Sequence, residues 1–436
     1  MTLNALERAV LAAVLAAETD LVQTTSDLVA FDTTARTGTG VAHDEAALQR
    51  YVGHRLAAVG ARLEVWEPTS VEVPPSRQVP AGLDWTGFPQ LLATVSGSGR
   101  GRTLLLNGHI DAVSVEPRQL WTVDPYRAVV RDGRVYGRGA VDMKGGVAAI
   151  LVATETLRRV GVQLQGNLII STVTDEESTS AGGVATVARG LRADAAIVAE
   201  PTGLAVGTAC RGSLMPSIHI RGQAGHAAAV QPHWSAHGAV SAAEKAAVVL
   251  DAVTRLRQCW QDDPRGRHPL LPPPSVVATT VSGGQWPVSY ADACRVDCHI
   301  SYLPGQADRD GYGSRVEQEF TDWIIRHAAT DPWLAAHPPQ VQWSIDVPPA
   351  DLRRNAPIVE VLTAAGRALG QPGQVIGADF WHDGATFNRA GIPSVVYGPG
   401  NVQMAHAVDE FVPICDLIAA AQGLALAAMR FCGTEY

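Results

Sequence analysis

Near the end of the apolar run TLLLNGHIDAV stand His109 and Asp111, two positions apart. On a strand, residues i and i+2 share a face, so an imidazole and a carboxylate leave together. A histidine that binds a metal through one nitrogen usually gives its other N–H to an acceptor such as a carboxylate, and Asp111 can serve. Taken alone, such a pair is more often a surface pair or a satisfied core histidine. Further along, GRVYGRGAVDMKGG delivers Asp142 just before a helix that opens with Lys144, Gly145 and Gly146. The spacing fits neither GxxxxGKS nor GxGxxG, so a phosphate loop is a poor reading. A carboxylate placed there suits the bridging of two cations.

STVTDEEST follows an apolar run and presents Glu176 and Glu177. Neighbouring acids often mark only a solvated turn. One of two such carboxylates can also ligate a metal while the other acts as general base on an activated water. AAIVAEPTG ends another apolar run on Glu200, and QMAHAVDEFVP offers His406 in a loop. Each feature is weak by itself. In this order they describe metal-assisted hydrolysis.

The elements that must position these residues follow from periodicity. Between about 90 and 200, short apolar runs (QLLATV, TLLLNGHIDAV, NLIISTVT, AAIVAE) alternate with the helical stretches GGVAAILVATETLRRV and AGGVATVARGL. Strands joined by crossover helices predict an α/β layer with a mostly parallel twisted sheet, and ligands in such sheets sit outside the strand ends. The texture changes near 209. LMPSIHIRGQAG, a long helix ending in RLRQCW, the strands SVVATTVSGG and YADACRVDCHISYL, and the helix SRVEQEFTDWIIRHAA give a strand–helix–strand–strand–helix order. That order predicts an inserted α+β sandwich, a lid, over 210–331. The Pro-rich HPLLPPPS is a loop within it, and DPWLAAHPPQ marks the return to a discontinuous catalytic domain of 1–209 and 332–436.

Length and composition bound the rest. With 436 residues, 46% hydrophobic and 18% charged, the chain is expected to form two or three domains. A net charge of −9 argues against nucleic acid or an anionic membrane as partner and favours a small-molecule substrate. No apolar stretch reaches about 18 residues free of charges and turn signals. The start, with Glu7, Arg8, Glu18 and Asp20, reads as an amphipathic first helix of a cytoplasmic protein rather than a secretory signal. The six cysteines (Cys210, Cys259, Cys294, Cys298, Cys415, Cys432) contain no CxxC pair and are expected to be buried, reduced thiols. Cys294 and Cys298 are expected on one face of a strand.

Together the stretches NGHIDAV, W…DPY…DGRVYGRGAVDMKGG, TDEES, AEPTG, RGQAGHAA, GIPSVVYGPG and AHAVDEFV resemble a known family, from roughly 20 to 430. It is the family of co-catalytic zinc amidohydrolases and peptidases that includes acetylornithine deacetylase, succinyl-diaminopimelate desuccinylase, aminoacylase and carboxypeptidase G. The resemblance implies that His109, Glu200 and Asp142 hold one metal, while Asp142, Glu177 and His406 hold the other. Asp142 would bridge, Glu176 would be the base, and Asp111 would orient His109. Two cations about 3.5–4 Å apart acidify a shared water and polarise a carbonyl. The mixed ligand set suits two divalent ions, zinc first, with cobalt or manganese also compatible. His226 occupies the position from which the family brings a histidine to the substrate carbonyl oxygen, often from a neighbouring subunit. His233 and His237 are its competitors. A homodimer through the inserted domain is implied in the same way.

The sequence departs from the pattern in the lid. Ser241 replaces the usual Asn after the lid loop, and Ser301 replaces the Arg that often holds the substrate carboxylate. A serine cannot form a bidentate, charge-assisted clamp. Arg211, Arg295 and Arg389 are unranked substitutes, and Trp234 and Trp286 hint at an aromatic or apolar group on the substrate. The expected activity is hydrolysis of the C–N bond of an N-acyl amino acid or related small amide. The alternatives are a hydrolytic deaminase that releases ammonia from an unusual, aromatic amine and a non-catalytic binding homologue.

Overall fold

The strand Leu104–His109 is buried at every position, the burial a central parallel strand requires when helices cover both faces of its sheet. It pairs in parallel with Leu168–Val173 on one side and Ala195–Val198 on the other. Ser394–Val396 extends the parallel core beyond Ala195–Val198. Outside this core the pairing turns antiparallel, through Gln90–Val95 and Arg62–Trp66 at one edge and Val206–Cys210 at the other. Ala350–Asp351 completes the row, and Val375–Ala378 pairs beside it with Val206–Cys210. The helices Gly145–Arg159 and Ile414–Cys432 pack together, the first of them on Leu104–His109. Ala181–Ala188 packs on Leu168–Val173, and Asp383–Arg389 on Ala195–Val198. Gly108 is small because Val147 leaves no room: a Cβ there would lie 2.8 Å from its Cγ2.

This computed structural model describes residues 3–35, 42–264 and 266–435. The chain divides into a first unit of Met1–Ala209, Ala350–Ala378 and His382–Tyr436, and a second of Cys210–Pro349 with Asp379–Trp381. The second unit is built on a four-stranded antiparallel sheet in the order Ser275–Gly283, Ala293–Tyr302, Gly212–Arg221, Gln340–Val347. Its helices Ala242–Asp262 and Ser314–Ala328 pack on each other, and Val249, Leu256, Phe320 and Ile324 lie in the core.

The second unit runs past the expected boundary at 331. Pro332 begins a short helix, Pro332–Ala336, whose first amides are capped by Asp331. Trp333 and Leu334 of that helix belong to the second unit's core. The following strand, Gln340–Val347, pairs with Gly212–Arg221. What reads as a Pro-rich exit is therefore a helix start, since proline fits the first helical turn without losing a needed donor.

Two further readings change. All six cysteines are free, but Cys259 and Cys415 are exposed, on the outer sides of their helices, whereas Cys210, Cys294, Cys298 and Cys432 are buried. Cys294 and Cys298 share the core face of Ala293–Tyr302 as expected. Among the described residues, Ile414–Cys432 is the one helix with the length and composition of a membrane span. It is mostly buried against Gly145–Arg159, Pro357–Ala368 and Ala5–Ala16.

Candidate active site

At the carboxyl end of Leu104–His109 the chain leaves the sheet, and His109 and Asp111 follow within two residues of each other. His109 Nδ1 lies 2.9 Å from the main-chain carbonyl of Asp111 and 3.7 Å from its carboxylate. A carbonyl oxygen can only accept, so Nδ1 carries a proton and Nε2 is the ring nitrogen turned toward the carboxylates. Nε2 lies 3.0 Å from Asp142 Oδ1 and 3.6 Å from Glu200 Oε1.

Asp142 arrives from a turn ahead of Gly145–Arg159, with an extended backbone of φ −123° and ψ 97° that keeps it out of the helix. Its second oxygen, Oδ2, lies 3.4 Å from His406 Nε2, and the same nitrogen lies 3.1 Å from Glu177 Oε2. The two oxygens of Asp142 are thus divided between His109 and His406, the arrangement of a bridging carboxylate. Glu176 and Glu177 open a single turn, Glu176–Thr179, entered through Asp175 in the left-handed region at φ 68°. His406 is also left-handed, at φ 61°. Asp and His are among the side chains that tolerate this conformation best. Asp111 fixes the turn from below: Oδ1 accepts the N–H of Glu176 at 3.2 Å and Oδ2 that of Glu177 at 3.0 Å.

The electrostatics are those of a site short of positive charge. Burial pushes the Glu176 carboxyl well above its ordinary range, and the charges of Glu200, Asp383 and Glu177 add to the push. Glu200 is raised well above the usual range by burial and by Asp142, and Glu177 is raised for the same two reasons. Asp142 is also buried, yet hydrogen bonds with His109 and His406 outweigh the burial and hold it below the carboxylate range. Hydrogen bonds to Asp142 and Glu177 lift His406 to about 10. Burial would lower His109, but the surrounding carboxylates, Glu200 first, raise it well above an ordinary imidazole.

A divalent cation fits this donor set. Glu176 Oε1 and Glu177 Oε1 are buried with no hydrogen-bond partner among the described residues, which is costly unless a ligand satisfies them. Ligand atoms of His109, Glu176 and Glu200 lie within 4.8 Å of one another, as do those of His109, Asp142 and Glu177. Distance therefore puts Glu176 as near a metal position as the acids expected to ligate.

The fold brings together His109, Asp111, Asp142, Glu176, Glu177, Glu200 and His406, all in the first unit. His226 belongs to the second unit, on an exposed stretch where it forms a bridge with Ser289. There Ser241 caps the helix Ala242–Asp262, and Ser301 is buried within Ala293–Tyr302. Arg295 is paired with Asp297 at 3.0 Å. Arg211 is held by main-chain carbonyls of Asp379 and Pro273. Trp234 packs edge-on against Trp333, a structural role, while Trp286 is exposed.

Two buried residues of the site were missed in the sequence. Glu410 accepts Arg138 Nη1 at 2.6 Å through one oxygen and the amides of Val141 and Asp142 through the other. Asp383 is 1% exposed and neither carboxylate oxygen has a hydrogen-bond partner among the described residues; burial raises it to about 7, and His109 and Asp111 are among the charges it feels. The signal available for Glu410 was an acid four residues after His406 at the edge of the apolar FVP. An acid inside ADFWHDGATF offered none.

Known proteins share this arrangement of sequence and fold. Residues 105–430 match peptidase family M20/M25/M40. An N-formyl-4-amino-5-aminomethyl-2-methylpyrimidine deformylase of Halalkalibacterium halodurans is 27% identical over 394 residues, 86% of this chain and 87% of the relative. A succinyl-diaminopimelate desuccinylase of Xanthomonas euvesicatoria is 31% identical over 413 residues, 91% of this chain and 95% of the relative. In fold the chain is similar to human carnosine dipeptidase 1, with a TM-score of 0.74 at 16% identity over 98% of this chain and 99% of that one.

Proposed function

The chain belongs to peptidase family M20/M25/M40 and is a metal-dependent hydrolase of a carbon–nitrogen bond, and we propose that its substrate is a small N-acylated amine or amino acid. The observation that carries the mechanism is the division of Asp142 between His109 and His406 at 3.0 and 3.4 Å, with Glu176 beside them. His109, Asp142 and Glu200 form one metal position, and Asp142, Glu177 and His406 the other. Two divalent cations bound there would acidify the attacking water and polarise the substrate carbonyl. Zinc suits the mixed imidazole and carboxylate set, with cobalt and manganese as working substitutes.

Glu176 is the general base. Its carboxylate takes a proton from the water as oxygen attacks the acyl carbon, then passes it to the departing nitrogen when the C–N bond breaks. The products are a carboxylic acid and an amine. Asp111 holds the turn that carries Glu176 and fixes the His109 tautomer through its main-chain carbonyl. His226 is assigned, by resemblance alone, to donate to the substrate's carbonyl oxygen. The buried Ser301 argues against a substrate that depends on a carboxylate clamp at that position. The deformylase relative, whose product is an aminomethylpyrimidine by its name, supports an amine portion that carries a heteroaromatic ring and no carboxylate. A cytoplasmic homodimer is part of the same reading; the edge strand Ser275–Gly283, with Val277 and Val281 exposed, supports the dimer.

The test is a panel of N-formyl, N-acetyl, N-succinyl and N-aroyl amines and amino acids offered to the metal-loaded protein, with free acid and free ammonium read separately. Acid release abolished by chelator is the expected result. Ammonium without acid would replace this reading with a deaminase.

A further inference from the structure

His406 and Asp142 come from segments far apart in the chain, yet they must meet one cation. One buried ion pair joins those segments. Glu410, 1% exposed, stands four residues after His406. Its Oε2 accepts Arg138 Nη1 at 2.6 Å, and its Oε1 accepts the backbone N–H of Val141 at 2.9 Å and of Asp142 at 3.2 Å. Arg138 is itself buried, gives Nη2 to the carbonyl of Ser114 at 3.1 Å and lies 5.0 Å from the Trp121 ring centroid. The backbone repeats the link: Gly137 N–H donates to the Glu410 carbonyl at 2.9 Å, and Phe411–Pro413 pairs with Arg134–Tyr136. Asp409, next to Glu410, accepts the N–H of Thr122 at 2.8 Å and its hydroxyl at 2.7 Å.

We propose that Glu410, braced by Arg138, is a positioning residue that sets the register between Asp142 and His406 and so controls affinity at the metal position those two share with Glu177. This rests on the two-metal reading above. Among the described residues no hydrogen bond or ion pair joins His109 or Glu200 to Glu410 or Arg138, so the first position depends on the brace through Asp142. No neutral side chain of the same shape can replace a buried carboxylate that ties two amides to a guanidinium, because one of its two acceptors becomes a donor. In Glu410→Gln the amide can keep one set of partners, but its NH2 group then faces either Arg138 or the two amides, donor against donor.

The experiment is titration of the metal-stripped full chain with Co²⁺, followed by calorimetry and by the visible d–d bands, alongside thermal unfolding of the metal-free proteins. Wild type is expected to take two equivalents. Glu410→Gln is expected to keep the first and bind the second at least tenfold more weakly, with Arg138→Lys intermediate because it keeps a charge on Glu410 Oε2. A purely structural role would lower the unfolding temperature and leave the ratio of the two affinities unchanged, and that result overturns the proposal. Should Glu410→Gln fail to fold, Arg138→Lys decides alone: two equivalents at wild-type affinities refute the brace. Fewer than two equivalents in wild type refutes the two-metal reading instead, and the brace with it.

Discussion

Asp111 holds both glutamates of the turn Glu176–Thr179 with its carboxylate, at 3.2 and 3.0 Å, and the His109 ring with its main-chain carbonyl at 2.9 Å. One residue therefore sets the position of the proposed general base, Glu176, and the tautomer of the proposed metal ligand, His109, by separate atoms. Asp111→Ala keeps the carbonyl and loses the turn contacts. It is expected to weaken metal binding about 10- to 100-fold, the usual cost of losing such outer support. Competition with a metal indicator measures it; unchanged affinity would remove Asp111 from the site.

Glu176→Gln separates base from ligand. Both Co²⁺ equivalents are expected to remain while turnover falls by about 10²- to 10⁴-fold, the range for general-base loss. If one metal equivalent disappears instead, Glu176 is a ligand, as its proximity to His109 and Glu200 allows.

Gly183 faces Asp383. A Cβ at this position would lie 2.3 Å from Asp383 Oδ1 and 2.8 Å from its Cγ, so Gly183→Ala must displace a buried carboxylate. Overpacking of this kind costs about 1–3 kcal/mol. Adding Asp383→Ala should restore part of that loss, read as a non-additive double-mutant cycle in urea midpoints.

Asp331 gives a pH-dependent contribution away from the site. Burial would raise its carboxyl, but the hydrogen bond from Lys245 and those from the Leu334 and Trp333 amides outweigh it and lower the value. The unfolded chain, near about 3.9, then binds the proton more readily than the folded one. The stabilisation is fully present above that value and is lost as pH falls through the lower folded value. Wild type and Asp331→Asn should differ in urea midpoint at neutral pH and converge below pH about 4. A gap that stays constant with pH would mean that the charge contributes nothing.

The parallel core and the residues at its strand ends were legible because burial on both faces writes continuous apolar runs, and a polar residue that ends such a run stands out. His109, Glu176, Glu177 and Glu200 all carry that mark. Glu410 and Arg138 do not, since their pairing is set by contacts 272 residues apart in the chain. Asp383 was hidden for another reason: its place depends on a glycine of another helix. The exit of the second unit was misread because Pro332 looked like a linker signal, while Trp333 and Leu334 show it only once packed.

The strands Val206–Cys210 and Ala350–Asp351 lie side by side in one sheet, and Leu352 N–H donates to the Thr208 carbonyl at 2.8 Å. Seen from the first unit, everything between them is a single closed loop. The entropic cost of closing a loop grows only with the logarithm of its length, by about 0.6 kcal/mol per doubling. Insertions, losses or wholesale exchange within that loop should therefore leave the stability of the first unit's sheet nearly untouched, so the inserted segment can diverge at little thermodynamic cost to the sheet that carries the candidate site.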